Sequence, residues 1–378
     1  MRFFTLLCLV CSVLFAFDQN GGDRGGFEPG AYERESFFPA AFNHTRHLQT
    51  RFPSKPAIAW RYKTNGFIFA APVLDSAGNL YFGNTDGWFF SLDGAGKLRW
   101  KFKTVGQVRG EAVVHENGHI YVGGGNIFYA FDHNGTLLWK YPASARFNGS
   151  PAIDQEGDIY AASQDGHLYA FTPGGTLLWA AKLHMPIRAP VTIRADGMLI
   201  VFTENGRIWA LDKQGRIHWE REVGKQVDTA PLLGKDGTIY VGSKDWRVYA
   251  LSDQGATQWF YATAWPVTES PVFGKSGEVL IGSWDNHFYA LEQNGSLRWK
   301  APVESYMSYV TTSALSDSAG NVLFGARNGQ LYLHNENGDR LWQIKLGSSI
   351  FASPGADAKG RIYIGTLEGS LYCIKEAE

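Results

Sequence analysis

The chain has 378 residues, with 35 Lys and Arg against 36 Asp and Glu, a formal net charge of −1 and an aromatic content of 15%. This balance excludes a globally basic protein of the kind that binds nucleic acid or an anionic membrane through its overall charge. The 44 Gly residues and the many aromatic residues favour strands and tight turns over helices.

Residues 1–16 have the pattern of a secretory signal peptide. Arg2 precedes about fourteen apolar residues, a run shorter than the roughly twenty that a membrane-spanning helix needs. We expect cleavage after Ala16 and export to the periplasm or the extracellular space. Cys8 and Cys11 follow bulky residues where a lipoprotein signal has a small one, so lipidation is the less favoured alternative. Cleavage leaves Cys373 as the only Cys and allows no internal disulfide.

Residues 17–55 differ in pattern from the rest of the chain. The stretch is rich in Gly and charged residues, a composition typical of a flexible leader. Its Phe and Tyr residues leave open a role in docking on the domain that follows. The sequence therefore divides into a signal peptide (1–16), this leader (17–55) and a repeat domain (56–378).

From residue 56 onward the chain repeats a unit of about 40 residues. One Trp recurs at spacings of 40, 39, 40, 40, 40, 40 and 43 residues, and a turn Gly recurs the same number of times at a similar period. Two independent markers with one period and one count predict an architecture of eight repeats. The recurring Trp residues are Trp60, Trp100, Trp139, Trp179, Trp219, Trp259, Trp299 and Trp342.

Each unit divides into four short strands separated by turns. In residues 71–100 the segments APVLD, NLYFG, WFFSLD and KLRW alternate with the turns SAG, NTDG and GAG. Gly, Asn and Asp in these turns tolerate the positive φ of tight hairpins. Four-stranded units at this period predict an all-β fold, an eight-bladed β-propeller of four-stranded antiparallel blades.

The two ends of the repeat complement each other. The last unit stops after its third strand, whereas Trp60 lies in a strand with no unit before it. We expect residues 56–62, at the N-terminal end of the repeat, to supply the fourth strand of the last blade, because closure removes an exposed sheet edge. The recurring Trp side chains are predicted to have a structural role, docking each blade on its neighbour.

The repeated motif, approximately Ala-x-Asp-x-x-Gly-x-x-x-Trp, resembles the tryptophan-docking repeat of the PQQ-like (quinoprotein) eight-bladed propellers over residues 56–374. The resemblance implies one of two functions. Some members are dehydrogenases that carry pyrroloquinoline quinone and calcium, whereas the BamB-like branch consists of cofactor-free scaffolds for outer-membrane protein assembly. A shared fold does not separate the two.

The cofactor-free branch is favoured by what the repeat contains. The units have one three-residue insertion and no vicinal Cys pair, whereas resemblance to the dehydrogenases implies long insertions and such a pair beside the cofactor. Asp228, Glu269 and Asn148 are of suitable type to bind calcium, but their positions match no recognisable set. We predict no catalytic residue, no metal site and no cofactor; pyrroloquinoline quinone and calcium belong to the dehydrogenase alternative.

Strand parity places the second turn of each blade and the connections between blades on one face, the top. We align the units on the Pro or Ala of each first strand. The residue three positions before this marker varies widely between blades and is Ile187 in the fourth blade. The residue two positions before the marker is Arg188 in the fourth blade and Glu269 in the sixth. We predict that this variable ring lines the mouth of a central channel, with mutual pairing of its polar residues as the alternative. The assigned mouth residues are Phe69, Arg109, Asn148, Arg188, Asp228, Glu269 and Phe351.

Aromatic residues concentrate in one sector of the top face. Trp246 and Trp284 occupy turns where other units have Gly, Gln or Glu, Trp265 lies in the connection between them, and Tyr306 and Tyr309 lie in the insertion. Exposed Trp and Tyr dominate binding hot spots, so these five residues are the predicted site for a partner. Burial of the group by the insertion is the alternative.

The sequence therefore predicts an exported, non-enzymatic, monomeric propeller that binds a protein or peptide on its top face, by resemblance in cell-envelope assembly. No nucleic acid partner is predicted, and membrane contact is expected only through a partner or through lipidation. The alternatives are a PQQ-dependent sugar or alcohol dehydrogenase and a propeller that binds carbohydrate on the exposed Trp residues.

Overall fold

The computed structural model describes residues 48–304 and 308–378. These residues form eight four-stranded antiparallel sheets, which confirms the predicted eight-bladed β-propeller. Within the described ranges, no helix has the length and apolar character that a membrane crossing requires. The predicted signal peptide and residues 17–47 of the predicted leader lie outside these ranges.

The strands are numbered β1–β32 in chain order, and each blade contains four. The first strands are β2 (Val73–Leu74), β6 (Val113–Val114), β10 (Ala152–Ile153), β14 (Thr192–Ile193), β18 (Leu232–Leu233), β22 (Val272–Phe273), β26 (Leu315–Ser316) and β30 (Gly355–Ala356). The second strands are β3 (Leu80–Gly83), β7 (Ile120–Gly124), β11 (Ile159–Ala162), β15 (Leu199–Phe202), β19 (Ile239–Ser243), β23 (Val279–Gly282), β27 (Val322–Gly325) and β31 (Ile362–Gly365).

The outer half of each blade completes its sheet. The third strands are β4 (Trp88–Leu92), β8 (Ile127–Phe131), β12 (His167–Phe171), β16 (Arg207–Leu211), β20 (Arg247–Leu251), β24 (His287–Leu291), β28 (Gln330–His334) and β32 (Ser370–Glu376). The outer strands are β5 (Leu98–Lys103), β9 (Leu137–Pro142), β13 (Leu177–Lys182), β17 (Ile217–Glu222), β21 (Thr257–Ala262), β25 (Leu297–Pro302), β29 (Arg340–Lys345) and β1 (Pro56–Lys63).

Burial changes from the axis to the rim of the propeller. The strand β2 contacts β6 and β30 of the neighbouring blades, so the first strands surround the axis. The second strands are buried on both faces, as in β11, because a neighbouring blade covers each face. The outer strand β9 alternates between half-buried and exposed residues, the period of two that one covered face imposes.

In seven of the eight blades, one Trp side chain packs on a glycine of the next blade. The ring of Trp139 lies against Gly175 in the third turn of the following blade, and Trp139 Nε1 donates a hydrogen bond of 2.9 Å to the carbonyl of Pro173. A Cβ at Gly175 would lie 2.5 Å from Trp139 Cγ. Corresponding Nε1 bonds to backbone carbonyls are made by Trp60, Trp100, Trp179, Trp259, Trp299 and Trp342, and Trp219 lies against Gly255.

Serine hydroxyls join several blades near the axis. Ser313 Oγ accepts a 3.1 Å hydrogen bond from the backbone N–H of Ser270, and Ser353 Oγ accepts one of 3.0 Å from Ser313 N–H. The same bond runs from Glu111 N–H to Ser150. Because buried backbone groups need partners, these hydroxyls satisfy donors where the chain enters a first strand.

The two ends of the repeat close the last blade, as predicted. The strands β1 and β32 pair antiparallel, from Pro56 opposite Glu376 to Lys63 opposite Ser370. Residues before β1 also bind the propeller, since Phe52 N–H donates to Asp317 Oδ2 at 3.0 Å. Leu48 N–H also donates to the Ser316 carbonyl at 2.8 Å, so the described chain is bound to the propeller from residue 48, ahead of the first strand.

Gly175→Ala is expected to lower the free energy of unfolding by about 2 kcal/mol or more, because its Cβ meets the Trp139 ring and the backbone has a φ of +88°. Urea denaturation followed by circular dichroism measures the change. Gly174→Ala is the matched control, since a Cβ there meets only Thr172 Oγ1 at 3.8 Å. Equal stability of the two variants would show that the Trp–Gly contact does not hold the blades together.

Buried tyrosines predict a loss of stability at alkaline pH. Burial, with the hydrogen bond to Asp75, raises the pKa of Tyr81 to about 12, and burial raises that of Tyr121 to about 12. The ordinary pKa of tyrosine is about 10. The contribution of these buried, protonated tyrosines to the free energy of unfolding is therefore intact below about pH 10 and is lost as the pH rises through about 12. Absorbance of tyrosinate should therefore show a late class that titrates with unfolding.

The variant Tyr81→Phe should remove one tyrosine from this late class. If all 17 tyrosines titrated together near pH 10 in the folded protein, the burial argument would be wrong.

Candidate functional site

The connections that enter the first strands form the top face around the axis. Arg188 and Asp228 each lie four residues before a first strand, β14 and β18, so they occupy equivalent positions. The alignment on Pro residues, which put Ile187 in the ring, is wrong for the fourth blade, because Pro190 occupies the position of Ala230. Ile187 is fully buried and packs in the core between blades.

The predicted mouth residues have little exposure to water. Asn148, Asp228, Glu269 and Phe69 are buried. Arg109, Arg188 and Phe351 are half-buried. The ring is therefore a packed layer. Where the residue type at the ring position changes from blade to blade, the residue of the second turn that contacts it changes as well.

Polar members of the ring pair with the second turn of their own blade. The partner lies sixteen positions later in the chain in each of three successive blades. At this spacing a side chain of the turn contacts the ring residue, so the charges of Arg188 and Asp228 are neutralised within their blades. The pairs are Arg188 with Glu204 at 3.3 Å, Asp228 with Lys244 at 2.7 Å, and Thr268 Oγ1 with Trp284 Nε1 at 2.5 Å.

Aromatic contacts join the first and last blades at the same level. The rings of Phe69 and Phe351 meet edge to face at 6.0 Å, and Phe69 meets Phe67 at 6.2 Å. The guanidinium of Arg109 lies 5.2 Å from the Phe69 ring centroid, within the range of a cation–π contact. The structure thus brings Phe69, Arg109 and Phe351 together.

The surroundings of Asp228 do not suit a calcium ion. Its carboxylate is fully buried and binds the Lys244 ammonium at 2.7 Å, with the Gln226 amide at 3.1 Å. Calcium takes six to eight oxygen ligands, and an ammonium at this position repels a cation. In the part of the chain that the structure describes, no group of three or more His, Cys, Asp and Glu side chains is placed to hold a metal.

Four of the five predicted partner-binding aromatics form what we call the aromatic ridge: Trp246, Trp265, Trp284 and Tyr309. Tyr309 stacks on Trp265 at 6.2 Å and on Trp284 at 5.4 Å. Trp246 and Trp265 are 52% and 50% exposed, whereas Trp284 and Tyr309 are half-buried. The fifth residue, Tyr306, lies outside the described residues.

Two residues near these sites carry signals that the sequence analysis did not use. Phe260 is 52% exposed on the outer strand of the blade that carries Trp246, and the Arg247 guanidinium lies 4.5 Å from its ring centroid. Its signal is an aromatic residue where other outer strands have Arg, Lys, Ala, Glu or Gln. Glu111 is a fully buried carboxylate near the axis, at a position where other blades have Ser, Ala or Pro.

Lys244→Ala is expected to lower the free energy of unfolding by about 2 kcal/mol, because it leaves the Asp228 carboxylate buried without its cation. Thermal denaturation measures the change. Lys225→Ala removes an exposed Lys from the same face and is the control. The double variant Lys244→Ala, Asp228→Ala should recover part of the loss; additive losses would show that the two residues do not act as a pair.

Solved structures with this fold include both functional classes. BamB from Moraxella catarrhalis has a TM-score of 0.72 at 15% identity, covering 85% of this chain and 99% of that chain. The quinohemoprotein alcohol dehydrogenase from Comamonas testosteroni has a TM-score of 0.75 at 14% identity, covering 89% and 80%. A europium-containing methanol dehydrogenase has a TM-score of 0.75 at 12% identity, covering 88% and 96%. At such identities, the likeness shows the fold alone.

No curated protein sequence matches this chain. A family model described as "Outer membrane protein assembly factor BamB" matches residues 85–173 and 164–334. The matched segments span more than half of the chain and include the mouth residues from Arg109 to Glu269 and the aromatic ridge. The chain therefore belongs to the family of the outer membrane protein assembly factor BamB.

Proposed function

We propose that this protein is an exported, non-enzymatic and monomeric scaffold that binds a protein partner through its top face and serves in the assembly of outer-membrane proteins. Membership of a family described by an outer-membrane assembly factor supports the envelope role. The apolar pattern of residues 1–16 supports export. In this proposal, residues 17–55 connect the signal peptide to the propeller, which spans 56–378.

The observation that carries the proposal is the exposure of the aromatic ridge. Trp246 and Trp265 are about half exposed on adjacent blades, and exposed Trp residues in a group mark interaction surfaces. The mouth offers less to a ligand, because Arg188 and Asp228 are neutralised by Glu204 and Lys244. Partner binding therefore takes place on the ridge, with the mouth as its rigid support.

A quinone-dependent dehydrogenase of sugars or alcohols is the second candidate, because two dehydrogenases share the fold. If this function held, Asp228 and Glu269 would be the first residues to test for a role in it. The 2.7 Å contact of Asp228 with Lys244 supports the cofactor-free proposal instead, since calcium would have to displace the ammonium group.

Deletion of the chain in its native organism is expected to lower the amount of folded outer-membrane β-barrel proteins, measured by their heat-modifiable mobility on gels. A full-length chain with Trp246→Gly and Trp265→Gly should restore little of this amount. A chain with Trp88→Gln, a half-buried Trp on another blade, should restore it fully.

Titration of the mature protein with pyrroloquinoline quinone and calcium tests the dehydrogenase alternative. We expect no saturable change in Trp fluorescence and no dye reduction with alcohols or sugars. Unchanged barrel proteins together with quinone binding and turnover would replace the scaffold function with that of a dehydrogenase.

A further inference from the structure

Trp246 occupies a backbone position that the fold gives to glycine. Its φ is +72°, in the left-handed region that a bulky residue rarely adopts. The same position in the second turn is filled in five other blades by glycines with φ between 75° and 82°. These are Gly87, Gly166, Gly206, Gly329 and Gly369.

The hydrogen bonds around Trp246 and Trp265 do not require either indole. Thr263 Oγ1 donates towards the carbonyls of Trp246 and Trp265, at 3.0 and 2.6 Å. This hydroxyl holds a second turn against the connection to the next blade. Two other blade junctions have the same pair of contacts with glycine at both positions: Thr104 with Gly87 and Gly106, and Thr64 with Gly369 and Gly66.

Neither Trp is explained by the stability of the propeller. A non-glycine residue in the left-handed region costs about 1–3 kcal/mol, and Trp246 leaves 52% of its surface in water. Trp265 also keeps half of its surface exposed, although one side stacks on Tyr309. Strain together with exposed aromatic surface therefore indicates a role in contact with another molecule.

Three Asp side chains near the ridge are withdrawn from water. The side chains of Asp228, Asp245 and Asp285 are 0%, 10% and 4% exposed. These three acids are held inside the blades: Asp285, for example, accepts hydrogen bonds from Tyr289 at 2.6 Å and from the Ala264 N–H at 3.0 Å. Glu304, on the connection that leads to Tyr309, is 55% exposed, and its charge is paired with Arg340.

The cations of this sector remain at the surface. Lys225 is exposed, the Arg247 side chain is 43% exposed, and Arg327 lies 5.4 Å from the Tyr309 ring centroid at the edge of the ridge. A ligand on the ridge therefore meets aromatic faces flanked by positive charge.

From these observations we infer that the aromatic ridge binds an acidic peptide segment that carries aromatic side chains, supplied by the protein partner. The inference rests on the proposed scaffold function and specifies the chemistry of its ligand. Aromatic side chains of the peptide pack on Trp246 and Trp265, and its carboxylates pair with Lys225, Arg247 and Arg327. A neutral sugar could pack on the rings but would gain nothing from the positive charge of these three residues.

Fluorescence anisotropy with defined peptides tests the inference on the mature protein. The probe is a labelled peptide of alternating Glu and Phe; one comparison peptide has Lys in place of Glu, and another has Ala in place of Phe. We expect saturable binding of the Glu–Phe peptide, weaker by about tenfold or more for either comparison peptide. Added salt should weaken this binding, because Lys225 and the Arg247 side chain are exposed.

Variants taken from the other blades separate binding from folding. Trp246→Gly and Trp265→Gly should each weaken binding of the Glu–Phe peptide by about tenfold. Trp246→Gly should leave the thermal midpoint of unfolding unchanged or raise it. The matched control is Trp88→Gln, because the Trp88 ring also lies near cations, with Lys101 Nζ at 4.5 Å, but outside the ridge. Lys225→Glu should weaken binding of the Glu–Phe peptide and strengthen binding of the Lys–Phe peptide, a change of preference that a loss of stability would not produce.

Three results would overturn the inference. The first is equal binding of the Glu–Phe and Lys–Phe peptides. The second is binding that Trp246→Gly, Trp265→Gly and Lys225→Glu all leave unchanged. The third is binding of maltohexaose, abolished by the Trp variants, without binding of any peptide. If deletion of the chain still lowers folded barrel proteins, these results refute only the ligand assignment; the scaffold function fails only if the deletion has no effect.

Discussion

The contact between a tryptophan ring and a glycine in the next blade is the constraint on which the rest of the structure depends. A blade has two apolar faces, and each must be covered by a neighbour. The Trp139 ring fits against Gly175 only because no Cβ is present, and its Nε1 bond to Pro173 fixes the position of the next blade. Repeated around the axis, this contact sets the angle between blades and hence where the top connections lie.

The same repeated frame separates support from binding on the top face. At the mouth, Arg188 and Asp228 have partners in their own blades, so changes in one residue are balanced by changes in the other. On the ridge, Trp246 and Trp265 have no such compensation, and glycine serves the backbone equally well at two other junctions. Positions at which the fold does not require a particular side chain can carry residues that serve ligand binding.

The fold could be predicted from the sequence, because the repeat period, the turn glycines and the alternation of apolar residues in the strands all depend on local backbone geometry. The closing pair of β1 and β32 followed from counting strands. The fourth-blade register was wrong because Pro190 lies one residue earlier than the marker in other blades. The pairing of Asp228 with Lys244 and the strain at Trp246 could not be read from spacing, since they depend on side-chain direction and on φ.

Closure by the chain ends also limits how the protein can fold. The strand β1 is made long before its partner β32, and Pro56 must find Glu376, a contact of very long sequence separation. Such contacts form late because a large loop must close first. The first seven blades can form in order as the chain emerges, but the ring becomes complete only when the final strand arrives. Until then two open sheet edges are exposed, which makes the last step the one most sensitive to aggregation.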